Sequence, residues 1–293
     1  MPSSTPFARI DMPRMAFPAL LLANLILPLG PVLVRLSDVG PVAAAFWRLA
    51  LALPFLLLLA RPGIRRTPPT RGEWIALALA GLVFAADLAA WHVGILYTKV
   101  ANATIFGNMS GLFLPAWGML VLRQKPRGLQ TAALALAGVG ALAMMGGSYE
   151  VSIGNLKGDL LCLVAGILYT AYLLIVQKVR GRLDSWSVLT VSSVVSAPAL
   201  LLCALALGER VMPGDWTPLI VLALSSQLIG QGLLTYAIGW FSPLVLGVSL
   251  LLQPAVAALL GWLLFGEWLS PVDMVGTAAV ATALVLVRLP SRA

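Results

Sequence analysis

Two ionisable side chains stand inside apolar sequence, where a charge is costly. Asp87 begins the run DLAAWHVGILYTKVANA, which also holds His92, the single histidine of the chain. Arg48 stands in FWRLALA and is the single Lys or Arg that lies well inside an apolar run of spanning length, away from its ends. Because hydrocarbon does not solvate a charge, each of these groups is expected to have either a partner or a function.

The positions of Arg48 and Asp87 along their helices allow two interpretations. Counted at 1.5 Å per residue from the predicted outer ends of the helices, Arg48 is ~10 Å deep and Asp87 ~14 Å deep. This match predicts a buried ion pair, and the alternative is an Asp87 carboxylate that meets substrate or protons. Asp87 shares a predicted helix face with Trp91 and Gly94. His92 points about 140° away, which favours a structural hydrogen bond over a place in a cavity.

The amino-acid composition indicates which kind of secondary structure must hold Arg48 and Asp87. The chain has 293 residues, of which 60% are apolar and 10% charged, whereas soluble domains hold about 25% charged residues. Mean hydropathy is +0.97, and apolar runs long enough to cross a bilayer recur along the sequence. The sequence therefore predicts an all-α polytopic membrane protein, one membrane domain over residues 1–293, with the lipid bilayer as its surroundings.

Apolar runs bounded by charges, Pro or Gly give ten predicted membrane spans. They are 16–35, 41–60, 73–97, 100–122, 128–146, 158–179, 185–206, 216–238, 243–265 and 271–288. With both termini cytoplasmic, the inner segments hold fourteen Lys and Arg residues and the outer loops hold four. The positive-inside rule thus predicts cytoplasmic N- and C-termini in the cell inner membrane. The first apolar run is interpreted as a retained span rather than a cleaved signal.

The two halves of the chain predict a repeat. Three identities share one offset of 139 residues: Tyr97 with Tyr236, Ser110 with Ser249, and Pro115 with Pro254. We therefore expect two five-helix repeats, 16–146 and 157–288. Five is odd, so the second repeat enters the membrane from the opposite side. Inverted repeats of this kind place a substrate site near the bilayer midplane.

Polar side chains near the span centres fall mainly in spans 1, 3, 4, 6, 8 and 9. We expect these spans to surround a central polar cavity, with spans 2, 5, 7 and 10 outside. The candidate cavity residues are Asn24, Asp87, Trp91, His92, Asn108, Tyr169, Gln227 and Gln253. The alternative for the amides is an interhelical hydrogen bond of about 1 kcal/mol without substrate contact, and for Tyr169 a packed ring.

Two prolines stand at matching positions of the predicted repeats. Pro115 and Pro254 remove backbone hydrogen bonds inside spans 4 and 9 and are expected to kink them. The kinks are candidate hinges, with a static bend as the alternative. Nearby, the GNMSG run has GxxxG spacing between Gly107 and Gly111, which favours close approach of two helices.

Several function classes have no support in the sequence. Cys162 and Cys203 lie inside spans without CxxC or metal-ligand spacing, so neither a disulfide framework nor a metal site is expected. The net charge of +8 comes from short clusters between spans, which does not indicate nucleic-acid binding. Nucleotide, GxSxG and HExxH motifs are lacking, so no direct ATP coupling, no enzyme activity and no cofactor are expected.

Three stretches carry a resemblance to a known family. The segments FWRLA, DLAAWHVGILYTKVANAT and LLQPAVAALLGWLLFGEWLSP, the last with its loop residue Glu267, resemble the EamA family of the drug/metabolite transporter superfamily. The resemblance covers essentially all 293 residues. The chain departs from it at Gly111, where such proteins often have proline, and after Trp117, where the loop lacks an acidic residue. Within the family it is most similar to aromatic amino acid exporters of the YddG type.

The resemblance implies a secondary or facilitated transporter that exports small metabolites through the bacterial inner membrane by alternating access. The Trp, Tyr and amide groups beside one carboxylate suit a small zwitterion with an apolar side chain, such as an aromatic amino acid. The alternatives are a multidrug or cationic compound exporter of the same fold, and a channel- or scramblase-like membrane protein. The sequence neither requires nor excludes a homodimer.

Overall fold

The computed structural model describes residues 13–98, 106–126, 128–146, 154–265 and 271–287. Within these ranges every regular element is helical and no strand occurs. The helices are α1 (Ala16–Ile26 and Leu29–Leu36), α2 (Pro41–Arg66), α3 (Arg71–Ile95), α4 (Ser110–Leu120), α5 (Gly128–Gly146), α6 (Leu156–Val179), α7 (Ser185–Ala206), α8 (Thr217–Leu222, Ala223–Gln231 and Gly232–Ile238), α9 (Pro243–Leu250 and Leu252–Phe265) and α10 (Pro271–Leu286).

Local sequence sets the ends of several helices. Thr70 and Glu73 form a capping box at the start of α3, in which the Thr70 side chain accepts from Glu73 N at 3.3 Å and Glu73 Oε2 accepts from Thr70 N at 2.7 Å. Asp184 caps α7 by accepting from Trp186 N at 3.0 Å and from Ser187 N at 3.1 Å. Both caps supply acceptors for backbone N–H groups that have no partner inside the helix.

Two of the helices are interrupted near prolines. The two pieces of α1 meet at Leu27 and Pro28, and those of α9 meet at Leu251, three residues before Pro254. A proline inside a helix has no N–H to donate to the carbonyl four residues earlier, and its ring crowds that carbonyl. Span 9 is thus interrupted just before Pro254, whereas α4 continues through Pro115 without a break; the kinks themselves stay predictions.

Among the residues that the structure describes, seven helical segments are long and apolar enough to cross a membrane. They are Ala16–Leu36, Pro41–Arg66, Arg71–Ile95, Leu156–Val179, Ser185–Ala206, Thr217–Ile238 and Pro243–Leu264. Three shorter apolar helices, Ser110–Leu120, Gly128–Gly140 and Met274–Leu286, lie within the three other predicted spans. On α2 the side chains of Phe55, Leu57 and Leu58 are 49%, 49% and 58% exposed, as expected of a surface that faces lipid rather than water.

The helices pack in a set of pairs that joins the two halves of the chain. Helix α3 packs on α6 and α7, and α8 packs on α1 and α2. Helix α2 packs on α7, α4 on α9 and α5 on α10. If each of the helices α1–α5 is exchanged with the helix five places later in the chain, the same set of helix pairs results. The larger hydrophobic core lies mainly among α1, α2, α3, α6, α7 and α8, and a smaller one among α5, α9 and α10.

One end of the bundle is held by contacts between the loop before α2 and the loop after α7, and we call it the Arg210 end. Glu209 accepts hydrogen bonds from Val42 N at 3.2 Å and Ala43 N at 2.8 Å, in the first turn of α2. Asp38 accepts from Gly214 N at 2.7 Å and lies 3.2 Å from Arg210. The Gly214 N–H, and after it the Arg210 guanidinium, hold the pKa of Asp38 below its usual value.

The opposite end, the Arg182 end, is held by an equivalent pair of loops. Arg182 forms an ion pair with Glu73 at the start of α3 and donates to Pro68 O at 2.9 Å. Close by, Arg180 donates to the carbonyls of Thr235 at 2.9 Å and Tyr236 at 3.3 Å, near the C-terminus of α8. A cation at a helix C-terminus is favourable because the carbonyl dipoles point toward it.

Candidate functional site

The central hydrogen bonds of the site join three helices around one glutamine. Arg48 Nε on α2 donates to Gln227 Oε1 on α8 at 3.1 Å, and Gln227 Nε2 donates to Ser193 Oγ on α7 at 3.1 Å. Gln227 and Ser193 are 0% and 1% exposed, whereas Arg48 is half-buried. Both ends of the amide are thus used, which fixes the orientation of Gln227 and holds the guanidinium toward α8.

Asp87 lies beside this cluster on α3 and is 8% exposed. It interacts electrostatically with Arg48 and with Tyr169. The two ion pairs within 4.0 Å in the described residues are those at the Arg182 and Arg210 ends, so Arg48 and Asp87 do not form an ion pair. The predicted contact between these two charges is replaced by the Arg48–Gln227 hydrogen bond in this conformation, and their coupling in other conformations stays a prediction.

Three aromatic rings form one wall of the cluster. Phe84 stacks on Tyr172 with ring centroids 4.6 Å apart and planes 20° apart. Tyr169 stacks on Tyr172 at 6.0 Å, and Phe84 lies tilted to Tyr169 at 6.3 Å. The Arg48 guanidinium carbon is 5.9 Å from the Phe84 ring centroid, within the range of a cation–π contact. The charged groups therefore sit against an extended π surface.

A π-helical segment presents a second glutamine to the same rings. Residues Ala223–Gln231 of α8 form a π-helix, a rare element that is frequent at functional sites. Gln231 is 1% exposed, and its Nε2 donates to the Tyr172 hydroxyl at 3.3 Å. Gln227 and Gln231 are four residues apart and both turn inward, so α8 supplies two amides to the cluster.

A separate polar group joins α1 to α9. Gln253 Nε2 donates to Asn24 Oδ1 at 2.9 Å, and Asn24 Nδ2 donates to Leu20 O at 2.8 Å and to Ser249 Oγ at 3.5 Å. Asn24 is fully buried and Gln253 half-buried. Each amide has a protein partner, as the interhelical alternative for these two residues requires. Their contact with a substrate stays a prediction.

The remaining predicted cavity residues lie beyond Asp87 along α3 and before α4. His92 is 3% exposed, and its Nδ1 lies 2.6 Å from Leu88 O. Because a carbonyl only accepts, Nδ1 carries the proton. Trp91 is half-buried, and a Cβ placed on Gly107 would lie 2.5 Å from its Nε1, so the indole packs directly on that backbone. Asn108 is half-buried in the turn before α4.

Pro115 and Pro254 are both buried, on α4 and α9. A Cβ on Gly247 of α9 would overlap the Pro115 ring, and a Cβ on Gly111 of α4 would lie 2.5 Å from Leu251 Cδ2. These glycines allow α4 and α9 to cross at close range, as the GxxxG spacing indicates. A hinge function of the two prolines stays a prediction.

Sequence reasoning did not find four members of the cluster, namely Phe84, Tyr172, Ser193 and Gln231. Helical spacing contains the signal for three of them: Phe84 precedes Asp87 by three residues, Tyr172 follows Tyr169 by three, and Gln231 follows Gln227 by four. Ser193 has no such signal. Spans 2 and 7, which we expected outside the polar ring, contribute Arg48 and Ser193 to it.

An all-helical chain with multiple apolar helices around a buried polar and aromatic cluster is a polytopic membrane protein. The sequence profile described as the EamA-like transporter family matches residues 14–146 and again residues 156–289. The chain belongs to the EamA-like transporter family. Members of this family are transporters rather than enzymes, and membership indicates membrane transport of small molecules.

Two further comparisons agree with this family. An uncharacterized transporter of Archaeoglobus fulgidus is 29% identical over 154 residues, covering 52% of this chain and 53% of the relative. The chain thus spans about half the length of the curated relative it matches. A solved crystal structure superposes with a TM-score of 0.76 and 16% identity, covering 94% of this chain and 96% of the other. At that identity the likeness concerns the fold alone.

Proposed function

We propose that this chain is a secondary or facilitated transporter that exports small metabolites by alternating access, with aromatic or other apolar amino acids as its substrate class. The observation that carries the proposal is the cluster of Arg48, Asp87, Gln227 and Gln231 against the stacked rings of Phe84, Tyr169 and Tyr172. It offers both signs of charge and the half-buried Tyr169 ring, held in place by buried amides and rings. An aromatic amino acid presents the complementary set of groups.

Alternating access also needs two structurally equivalent halves. The family profile matches the chain twice, over 14–146 and 156–289. The principal helix pairs map onto themselves when α1–α5 and α6–α10 are exchanged. Both observations support a division into inverted five-helix repeats, 16–146 and 157–288, with the site where the repeats meet. The charge count supports a location in the inner membrane with both termini in the cytoplasm.

Counterflow in proteoliposomes tests the proposal. Vesicles with purified protein are loaded with unlabelled tryptophan and diluted into a trace of labelled tryptophan, with protein-free vesicles as control. A carrier accumulates label transiently because external and internal substrate exchange, and we expect that overshoot with tryptophan or phenylalanine. Equilibration without overshoot would instead indicate a channel. An overshoot with tetraphenylphosphonium but with no amino acid would indicate an exporter of cationic compounds.

A further inference from the structure

The Arg48 guanidinium has donors that the protein does not use. Its Nε donates to Gln227, while neither terminal nitrogen has an acceptor among the described residues. A guanidinium inside a protein is stable only when its N–H groups are satisfied, because their lost hydration must be replaced. Two parallel N–H···O bonds from a guanidinium match the geometry of a carboxylate. The side chain is half-buried, so its free edge is accessible from within the bundle.

The Asp87 carboxylate likewise has acceptor positions that the protein does not use. It is 8% exposed, and no donor among the described residues forms a hydrogen bond with it. It interacts electrostatically with Arg48, but the two do not form an ion pair in this part of the chain. Neither the Asp87 oxygens nor the Arg48 terminal nitrogens are among the fully enclosed side-chain atoms without a partner in the described residues, so both charged groups border open space within the bundle. A small molecule with a carboxylate and an ammonium on the same carbon would satisfy both at once.

The ring beside these charges that remains half-buried is Tyr169, whereas Phe84 and Tyr172 are 2% and 0% exposed and pack inside the core. Phe84 is three residues before Asp87 on α3, and its ring centroid is 5.9 Å from the Arg48 guanidinium carbon. The Tyr169 and Tyr172 rings continue the wall. An aromatic substrate side chain can contact the half-buried Tyr169 ring, which the other two rings support from behind.

We propose that Arg48 binds the α-carboxylate of an amino acid substrate and Asp87 binds its α-ammonium group, with the substrate side chain against Tyr169. The assignment rests on the proposed function and specifies the ligand of that site. Gln227 acts as a positioning residue, since it holds the guanidinium through Nε and is itself held by Ser193.

Equilibrium binding to detergent-purified protein tests the assignment without requiring transport. Labelled tryptophan is displaced by unlabelled tryptophan, by tryptamine, which lacks the carboxylate, and by indole-3-propionate, which lacks the ammonium group. A charge-assisted hydrogen bond contributes about 1.5–3 kcal/mol, so each analogue is expected to bind wild-type protein about 10- to 100-fold more weakly than tryptophan. Wild-type protein that binds either analogue as tightly as tryptophan, or that binds no amino acid, overturns the assignment.

Two variants then assign each charge to its end of the ligand. Arg48→Gln should lower the affinity for tryptophan to that for tryptamine, and should leave the affinity for tryptamine unchanged. Asp87→Asn should lower the affinity for tryptophan to that for indole-3-propionate, and should leave the affinity for that analogue unchanged. Variants that preserve the wild-type affinity ratios contradict the proposal. If a variant does not fold, the wild-type analogue series decides the matter, because it uses no substitution.

Arg180→Gln is the matched control. Arg180 is also a half-buried arginine, but its nitrogens donate to the carbonyls of Thr235, Leu183 and Tyr236 at the Arg182 end. Loss of the Arg180 guanidinium should change the stability of the protein. The ratio of the affinities for tryptophan and tryptamine should stay as in wild type. Counterflow separates the two proposals: binding with the expected ratios but without exchange retains the ligand assignment and rejects the carrier function.

Discussion

Arg48 Nε donates a hydrogen bond of 3.1 Å to Gln227 Oε1, and this bond joins α2 to the π-helical segment of α8. Gln227 in turn donates to Ser193 on α7. A single amide thus holds the buried guanidinium in place and ties three helices together. Side chains with two well-defined partners across helices are rigid, and a binding site requires rigid supporting groups.

Two replacements of Gln227 distinguish its contribution to stability from its effect on substrate transport. Gln227→Leu removes the acceptor for Arg48 and the donor for Ser193, so the free energy of unfolding should fall by about 1–3 kcal/mol. Gln227→Glu keeps an acceptor but places a carboxylate against the guanidinium. Its fold should be retained while amino acid uptake is lost, because the new carboxylate competes with that of the substrate.

Thermal unfolding in detergent and counterflow in proteoliposomes measure these two effects. Wild-type exchange rates in Gln227→Glu would show that the Arg48 guanidinium does not meet the substrate carboxylate. Wild-type stability in Gln227→Leu would show that the hydrogen bonds of Gln227 contribute nothing to the fold.

The crossing of α4 and α9 should be sensitive to a single methyl group. Gly247→Ala places a Cβ where the Pro115 ring lies, and the two helices must separate, which typically costs about 1–3 kcal/mol. The control is Gly138→Ala on α5, where the added Cβ would lie 3.6 Å from Leu112 Cδ2, an ordinary van der Waals contact. Midpoints of thermal unfolding should fall for Gly247→Ala alone, and equal midpoints would show that the crossing adjusts freely.

Glu209 should stabilise the Arg210 end more than the neighbouring ion pair does. Its carboxylate accepts from Val42 N and Ala43 N at the start of α2, and loss of such a helix cap costs about 0.5–2 kcal/mol. Arg210 lies 3.2 Å from Asp38, but its side chain is 62% exposed, and such pairs contribute about 0–1 kcal/mol. Glu209→Ala should thus lower the unfolding temperature more than Arg210→Ala. The reverse order would contradict the cap as the main contact.

Membrane orientation is tested by cysteine labelling in intact cells. In a background without Cys162 and Cys203, Met212→Cys at the Arg210 end should react with a membrane-impermeant maleimide. Gly181→Cys, at the Arg182 end, should react only after the cells are permeabilised. The distribution of Lys and Arg predicts this result. The opposite labelling pattern would invert the topology, and with it the direction of export. Ser152, in the predicted loop between repeats, lies outside the described residues.

Much of the helical framework could be predicted from sequence because the bilayer limits the choices. A long apolar run must satisfy its backbone internally, and a helix does so without a partner. The described helices accordingly fall on the predicted spans. The helix of span 9 is interrupted at Leu251, three residues before Pro254. For the same reason Arg48 and Asp87 were recognisable as candidate site residues, since a charge inside such a run is exceptional.

Sequence could not determine which side chains meet across helices. Depth along two helices predicted an Arg48–Asp87 contact, but it contained no information that Arg48 Nε would donate to Gln227 on α8. Rotation of a helix about its axis depends on how neighbouring side chains pack, and hydropathy says little about it when many faces are apolar.

The sequence by itself determined the class of protein, the apolar helices and the few polar residues that a bilayer makes conspicuous. Only the tertiary structure decided that Ser193, Gln231, Phe84 and Tyr172 join them, and that Arg48 donates to Gln227 without forming an ion pair with Asp87. The physical reason is that partition into a membrane is a property of each segment and can be read along the chain. A binding site is a property of distances between segments, which arise only when the helices pack.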